Sequence, residues 1–459
     1  MSKNSLFIFH RDLRKEDNIG LIRTITESNK VFPVFIFTPD QVSSKNKYKS
    51  DASVQFMVNS LKELEKSLSI SFFYNDTTQI VKSLLSDKKL NINHVAFNRD
   101  FTPYAKKRDG DIIKIIKSKF KDVSYEVYDD VTLNPPDKCL KKDGNPYRVY
   151  TPYYKNASKF TVDKPLGWSS NYTKKCDKIA GKSLNNVSPQ TFYKIQPECV
   201  LMGGRKEALK ILSNIKKWND YNKIRNIPIK NTTRLSAHLK FGTVSPREVY
   251  YQFQNKLGPS NELFKQLYWR DFYMTMLDHY PNDTKSVTNS KMNNIKWSQS
   301  KSNLKKWQKG MTGIPLVDAG MRELNETGFM HNRVRMVVAT FLIYNLGLNW
   351  VEGERYFSKK LVDVDRANNL GNWKWVAGIE SYSNDYYKAM SMESQMDRFD
   401  PDAKYVKQWV PELEDIPAND LIKWEQKFDE YDIDYPDPIV NTKESRKEMI
   451  EKMKKAIKS

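Results

Sequence analysis

The sequence predicts two domains of different class: an N-terminal α/β domain built on a doubly wound parallel sheet and, after a long linker, an all-helical C-terminal domain. Three observations predict this. Five short apolar runs alternate with amphipathic stretches over the first 130 residues. The next stretch, to about residue 190, loses periodicity and carries Pro135, Pro136, Pro146 and Pro152. From about 199 to 430, apolar residues recur at spacings of three and four, and no β-rich run interrupts them. A chain of 459 residues also exceeds what one hydrophobic core usually organises. The expected segments are 1–130, a linker over 131–195, a helical domain over 196–440 and a basic helix or frayed tail over 441–459.

The strands are expected at Ser5–His10, Val31–Thr38, Ile70–Asn75, His94–Asn98 and Tyr125–Asp130. Helices are expected at Asp51–Leu68, Thr77–Leu85 and Tyr104–Phe120. Apolar strands separated by amphipathic helices bury both faces of a parallel sheet. The first turn, "HRDLRKED", lacks the G-x-G-x-x-G fingerprint of dinucleotide-binding sheets. The linker is read as a partly ordered connector packed over the surface. Beyond it, "GRKEALKILSNIKKW", "NELFKQLYWRDFYMTML", "GIPLVDAGMRELNETG" and "HNRVRMVVATFLIYNLG" read as helices. Ser245 and Pro246 before Arg247 mark a helix start by cap and first-turn proline.

Composition excludes several classes. Hydrophobic residues are 39% and aromatics 12% of the chain, enough for real cores and too many for wholesale disorder. Lys and Arg number 76 against 55 Asp and Glu, a formal charge of +21. That charge suits nucleic acid, an acidic membrane or plain solubility. Cys139, Cys176 and Cys199 are too few and scattered for a disulfide framework. No Cys or His spacing matches a zinc site, so no metal is expected. Neither a signal peptide nor an 18-residue apolar span is evident, and an intracellular location is expected.

Four segments carry chemistry-bearing residues. "DVDRANNLGNWKW" (Asp363–Trp375) sets two acids two apart, then Asn369, then Trp373 and Trp375. Tryptophan in a core demands volume and a partner for its N–H, so two so close are unusual for packing alone. "TGFMHNRVRM" puts Asn332 and Met336 on one helix face, with Arg335 beside them to pair with a buried acid. "KQLYWRDFY" puts Gln266, Trp269 and Arg270 at i, i+3 and i+4. "NTTRLSAHLKFGTVSPREVY" is a hydroxyl-rich turn leading into a helix, suited to phosphate.

With "FHRDLRKEDN", "NWVEGERYF", "VPEL" and "DYPDPIV", these segments resemble the photolyase and cryptochrome family over nearly the full length and in the family order. The pattern is most similar to the class I cyclobutane pyrimidine dimer photolyases. The resemblance implies an α/β domain, a linker and a helical domain holding FAD in a folded form. It implies a light-driven carbon–carbon lyase: reduced, excited FAD donates an electron to the dimer, the cyclobutane ring splits and the electron returns. UV-damaged DNA is the implied partner of a monomeric protein.

The resemblance also assigns roles. Tyr221, Thr232, Thr233, Leu235 and Ser236 match FAD phosphate and ribityl contacts. Arg335 and Asp363 match an ion pair beside the isoalloxazine ring, Asp365 an acid near the flavin or its adenine, and Asn369 the side chain opposite flavin N5. Trp297, Trp350 and Trp373 match a relay carrying electrons from the surface to the excited flavin. Trp269 and Trp375 match the stacking walls of a pocket for the flipped lesion, with Gln266, Asn332 and Met336 as further contacts. Arg225, Arg270, Arg333 and nearby lysines would meet phosphates.

Three departures from the class I pattern stand out. Gln266 stands where class I dimer photolyases usually carry glutamate; glutamine is typical of (6-4) photolyases and animal cryptochromes. Tyr104 and Ala105 stand where an Asn-Glu pair holds a methenyltetrahydrofolate antenna. That argues against this antenna and leaves a second chromophore unidentified. Phe329 replaces a common tryptophan. Asn332 and Met336 occupy the positions of the (6-4) histidine pair, which argues against (6-4) repair. Cyclobutane dimer repair is therefore the expected function. A cryptochrome-type photoreceptor and a (6-4) or single-strand-specific photolyase are the alternatives.

Overall fold

A computed structural model describes residues 3–281, 293–380 and 389–458. Contacts divide the chain into two compact units. The first comprises Met1–Gln196, Leu201–Asn219 and Thr233–Pro281, and the second Pro197–Val200, Asp220–Thr232 and Asn282–Ser459.

The first unit holds β1 (Asn4–Phe9), α1 (Ile19–Glu27), β2 (Lys30–Phe37), α2 (Asp51–Glu65), β3 (Ser71–Tyr74), α3 (Thr77–Ser86), β4 (His94–Asn98), α4 (Pro103–Lys119) and β5 (Ser124–Tyr128). All four strand pairings are parallel, in the order β3-β2-β1-β4-β5. The central strands are buried along almost their whole length and mostly apolar because both of their faces are covered. Leu6, Ile8, Val34, Val95 and Phe97 form this core with Ile112 and Ile116 of α4. Edge strand β5 has no buried residue, and Ser124, Glu126 and Val127 are exposed. The doubly wound sheet expected from the sequence is present, with β4 at its expected bounds and the other strand boundaries shifted by one or two residues.

Helix α1 was not among the expected elements. Asn18 caps it by accepting from the Leu21 N–H at 3.1 Å. It crosses β4 so closely that a β-carbon at Gly20 would lie 2.4 Å from Asn98 Oδ1. The turn before it is filled by protein charges. The Asp12 carboxylate accepts from Asn98 Nδ2 at 2.6 Å and Asn18 Nδ2 at 3.0 Å. Burial, then the neighbouring Asp130, pushes the Asp12 carboxyl upward.

The connector is more ordered than a proline-rich reading suggests. Helix α5 (Tyr150–Ala157) contains Pro152 in its first turn, where a missing N–H costs nothing. Its Tyr153 and Ala157 are buried four residues apart. Helices α6 (Arg205–Ser213), α7 (Ser236–Phe241), α8 (Pro246–Leu257) and α9 (Leu263–His279) complete the first unit. Helix α8 begins as expected: Ser245 and Glu248 form a capping box, with Pro246 at the first position.

Inside this unit a buried ionic cluster ties the segment after β1 to α8. Arg14 meets Asp130 at 2.6 Å, and Arg247 meets Asp130 at 2.7 Å and Asp17 at 3.0 Å. All four side chains are at most 3% exposed. Burial alone would raise the Asp130 carboxyl; Arg14 and Arg247 outweigh it and hold it low.

The second unit contains α10 (Lys301–Lys309), α11 (Pro315–Thr327), α12 (Asn332–Thr340), α13 (Trp350–Lys360), α14 (Arg366–Ala377), α15 (Met392–Phe399) and α16 (Thr442–Lys458). After α12 the chain widens into a π-helical turn, Phe341–Asn345, whose five residues are all buried. The basic C-terminal segment is a formed helix. Met449, Met453 and Ala456 of α16 are buried, and Asn345 Nδ2 donates to the Thr442 carbonyl at 2.8 Å.

Candidate functional site

In the first unit, α9 carries Gln266, Trp269 and Arg270. Gln266 is exposed and Trp269 half-buried. The linker supplies the support that sequence reasoning missed. Tyr150 of α5 stacks flat on Trp269, with ring centroids 3.6 Å apart and planes 6° from parallel. Tyr150 is itself fixed by its hydroxyl, which donates to the Lys265 carbonyl at 2.9 Å. Phe272 and Tyr273 approach the indole at 5.7 Å. One face of Trp269 is thus backed by protein.

Arg270 is placed differently from a phosphate contact. Its guanidinium donates to the carbonyls of Val131 at 2.7 Å and Leu239 at 3.3 Å, and to Asp271 at 3.1 Å. Asp271 also accepts from the Leu133 N–H at 2.7 Å, and burial raises its carboxyl to about 6. Arg270 therefore organises the junction of linker and α9.

The hydroxyl-rich turn straddles the division of the chain. Thr233, Leu235 and Ser236 belong to the first unit, and Tyr221 and Thr232 to the second. Arg234 adopts φ +54° and Thr233 Oγ1 accepts from the Leu235 N–H at 3.4 Å, which turns the chain into α7. Thr232 and Thr233 are half-buried and Ser236 is exposed.

The second unit gathers most of the remaining residues. The Arg335 guanidinium holds Asp363 at 3.0 and 3.2 Å and donates from Nε to the Met330 carbonyl at 2.8 Å. Phe329, the departure before this helix, is buried beneath that guanidinium at 5.2 Å. Asp365 caps α14 by accepting from the Asn368 N–H at 3.1 Å. This leaves the Asn369 side chain directed at a buried carboxylate. Asn369 Nδ2 donates to Glu354 Oε1 at 3.0 Å, to the Glu354 carbonyl at 3.1 Å and to Ser358 Oγ at 3.0 Å. Glu354 also accepts from Arg366 at 2.5 Å and Ser358 at 3.1 Å. Glu354, Ser358 and Arg366 escaped the sequence reading. Only the i, i+4 relation of Glu354 and Ser358, and the place of Arg366 within the Asp363–Trp375 segment, could have signalled them.

The three relay candidates show graded burial. Trp373 is 3% exposed, Trp350 6%, and Trp297 is half-buried. Backbone contacts join them. The Trp373 ring lies on Gly353 of α13, where a β-carbon would come within 2.1 Å of ring carbon Cη2. Trp350 is three residues from Gly353 on the same helix face. Ser298, next to Trp297, bridges to Leu348, two residues before Trp350, and its N–H donates to the Gly347 carbonyl at 2.7 Å. Trp373 also meets Phe357 edge-on at 5.0 Å and Trp307 at 6.4 Å.

Asn332 is exposed and Met336 half-buried on α12, which packs against α14, where Trp375 is half-buried. Beside Trp375, Lys374 and Glu380 form a buried ion pair at 2.8 Å. Arg225 and Arg333 are half-buried. Arg333 donates to Asn226 at 2.9 Å and lies 4.5 Å over the Phe399 ring. Burial, then Arg398 and Arg225, pushes the Arg333 guanidinium below its ordinary pKa. Three arginines close enough to repel form an anion-attracting cluster, and Arg398 of α15 is its member that the sequence did not suggest.

Among the described residues no cluster of His, Cys, Asp and Glu could hold a metal ion, and no helix is long and apolar enough to cross a membrane. The three cysteines are buried thiols.

Comparisons with known proteins agree along the whole chain. A family model described as the FAD binding domain of DNA photolyase matches residues 263–455, and one described as DNA photolyase matches residues 5–167. A deoxyribodipyrimidine photo-lyase of Buchnera aphidicola is 32% identical, covering 99% of this chain and 98% of that protein. An archaeal photolyase from Sulfolobus tokodaii, solved with two FAD molecules, is 34% identical with a TM-score of 0.87, covering 98% of this chain and all of that one. A cryptochrome of Synechocystis superposes with a TM-score of 0.87 at 24% identity, covering 98% and 99% of the two chains; at that identity the likeness speaks for the fold alone.

Proposed function

The chain belongs to the DNA photolyase family and carries its FAD-binding domain, and from that premise we propose that it repairs cyclobutane pyrimidine dimers in DNA by light-driven electron transfer. The observation that carries the reading is the backed indole of Trp269: a half-buried ring held flat by Tyr150 at 3.6 Å offers a rigid platform to a flipped base. The donor set of the second unit fits a flavin. Arg335 spends two of its three nitrogens on Asp363 and the Met330 carbonyl, which fixes the guanidinium and would leave the remaining nitrogen to donate to the flavin in this reading. Asn369 is clamped by Glu354 and Ser358, so its amide cannot rotate away from the ring it faces in this reading.

When bound and reduced, FAD supplies the excited-state electron that enters the dimer. The protein's own residues do the rest. Trp269 and Trp375 replace the stacking lost on flipping. Gln266 offers an N–H donor where negative charge develops on the thymine carbonyls, the place where a donor is worth most. Arg225, Arg333 and Arg398 take the phosphates around the flipped site. Trp373, Trp350 and Trp297 pass electrons inward to restore the reduced cofactor and stand outside the repair cycle.

The test is direct. Purified, photoreduced protein is irradiated with blue light on a dimer-containing oligonucleotide, and recovery of intact thymines is followed. Recovery that requires both light and reduced flavin is expected. Tight FAD binding and photoreduction without any thymine recovery would overturn the repair reading in favour of a photoreceptor.

A further inference from the structure

We propose that the surface around Trp297 is a docking site for anionic one-electron donors that refill the tryptophan relay. The inference rests on the relay reading of Trp297, Trp350 and Trp373. Residues 293–317 contain five lysines, Lys296, Lys301, Lys305, Lys306 and Lys309, and no acid. All five are exposed. Among the described residues none of them has an ion-pair partner, whereas Arg322 of α11 is held by Glu412 and Arg355 of α13 by Glu352.

The arrangement costs helix stability. Lys301, Lys305 and Lys309 repeat at i, i+4 and i+8, so like charges stand one above another. Lys301 also sits in the first turn of α10, where the helix dipole disfavours a cation. On α4, by contrast, Lys107 is answered by Asp111 one turn on. A charge stripe kept against both local preferences points to a partner outside the chain.

That stripe converges on the relay end. Lys296 adjoins Trp297, and four residues of chain keep the Lys301 Cα within about 14 Å of the Trp297 Cα. A second cationic element meets the same place. A β-carbon at Gly347 would lie 3.8 Å from Ser298 Cβ and 3.9 Å from Met449 Sδ of α16, and Arg446 and Lys452 flank Met449 at i−3 and i+3. The half-buried indole of Trp297 therefore lies near two helices that each carry an excess of positive charge, α16 despite Glu444, Glu448 and Glu451.

The chemistry balances in single electrons. After an electron has moved inward, Trp297 is left one electron short and loses its indole proton to water. A donor gives one electron to the ring, one proton returns from water, and the donor leaves one unit less negative. An anion is concentrated at this surface and its product is held less strongly, which favours turnover.

The experiment uses flavin-loaded full-length protein, a laser flash, and the decay of the tryptophan radical absorbance. Three donors form a charge series: ferrocyanide, ascorbate and neutral hydroquinone. The bimolecular rate should rise with donor charge and fall with salt, and the combined Lys296→Gln, Lys301→Gln, Lys305→Gln variant should slow ferrocyanide roughly tenfold at low ionic strength while sparing hydroquinone. A separate readout needs no light chemistry: iodide should quench the fluorescence component lost in Trp297→Phe more in the parent than in the variant, and acrylamide should quench both alike. Loss of the long-lived radical in Trp297→Phe establishes the relay reading by itself. If that loss occurs but the lysine variant leaves the ferrocyanide rate and its salt dependence unchanged, the docking inference is wrong and the relay stands. If Trp297→Phe changes nothing, both fall. A variant that weakens binding of undamaged duplex while leaving donor rates intact assigns the surface to DNA and overturns the inference.

Discussion

Gln266 and Arg398 illustrate opposite kinds of legibility at the scale of single residues. Gln266 was identifiable in the sequence because its neighbours at i+3 and i+4 marked one face of a helix, and the structure leaves it exposed on α9. A glutamine amide donates a hydrogen bond but has no readily transferable proton, so Gln266→Glu should raise the quantum yield of repair. Affinity for damaged DNA should stay within about 1 kcal/mol, the range of one hydrogen bond. Repair yields and titrations on the same oligonucleotide check both halves. Arg398 lies in a segment with no recognisable motif, and its place beside Arg333 shows only in the structure, where both guanidinium groups lie over the Phe399 ring at 5.2 and 4.5 Å. Arg398→Ala should weaken binding to damaged and undamaged DNA alike and reduce the slope of log K against log salt by about one. Binding isotherms at several salt concentrations measure that slope. Arg270 shows the limit of spacing arguments. Its position on the helix was readable, but its bonds to the Val131 and Leu239 carbonyls are long-range and invisible in the chain.

At the scale of elements, helix α13 carries the most information per turn. Trp350, Gly353, Glu354, Phe357 and Ser358 all lie on its buried side. Gly353 is present because the Trp373 indole occupies the space of its side chain. Gly353→Ala should cost about 1–3 kcal/mol through overpacking and should slow flavin photoreduction by displacing Trp373. Chemical denaturation and photoreduction under a fixed lamp test the two effects. The strands were legible because apolar runs bounded by charge have no alternative in a sheet covered on both faces. Helix α1 was not, because its start signal, Asn18, lies in a charged turn where Arg14 pairs with Asp130 and Asp12 with Asn98, groups far along the chain. Helix α5 was masked by Pro152, a residue that argues against a helix everywhere except in its first turn.

For the whole molecule, buried charge and buried histidine set the conditions of stability. His238 is buried with its Nδ1 2.9 Å from Thr243 Oγ1 and its ring edge-on to Phe56, and burial lowers its pKa to about 4. The unfolded chain would bind a proton at this residue below about 6.5, so stability is full above that pH and is lost as pH falls toward 4. The loss should be on the order of 3 kcal/mol. Asp271 and Asp109, both raised to about 6 by burial, act in the opposite sense between about 4 and 6 and mute the net slope. His238→Gln should therefore remove part of the acid lability that the parent shows between pH 6.5 and 4, as denaturant melts across that range would show. Arg247→Ala should be costlier, about 3–5 kcal/mol, because it leaves Asp17 and Asp130 buried with Arg14 alone. Equilibrium unfolding of the full chain measures it.

Arg247 follows Asp130 by 117 residues and Asp17 by 230. During synthesis that separation is a delay. At about 5–20 residues per second, a strand order already complete at Tyr128 waits roughly ten seconds for the cation its acids require. Throughout that interval Asp17 lacks its cation and Asp130 has Arg14 alone, so the turn between β1 and α1 stays hydrated while the later helices are still being made. The order of translation thus leaves this turn the last part of the sheet domain to be neutralised, and Arg247 is the residue whose arrival ends the exposure.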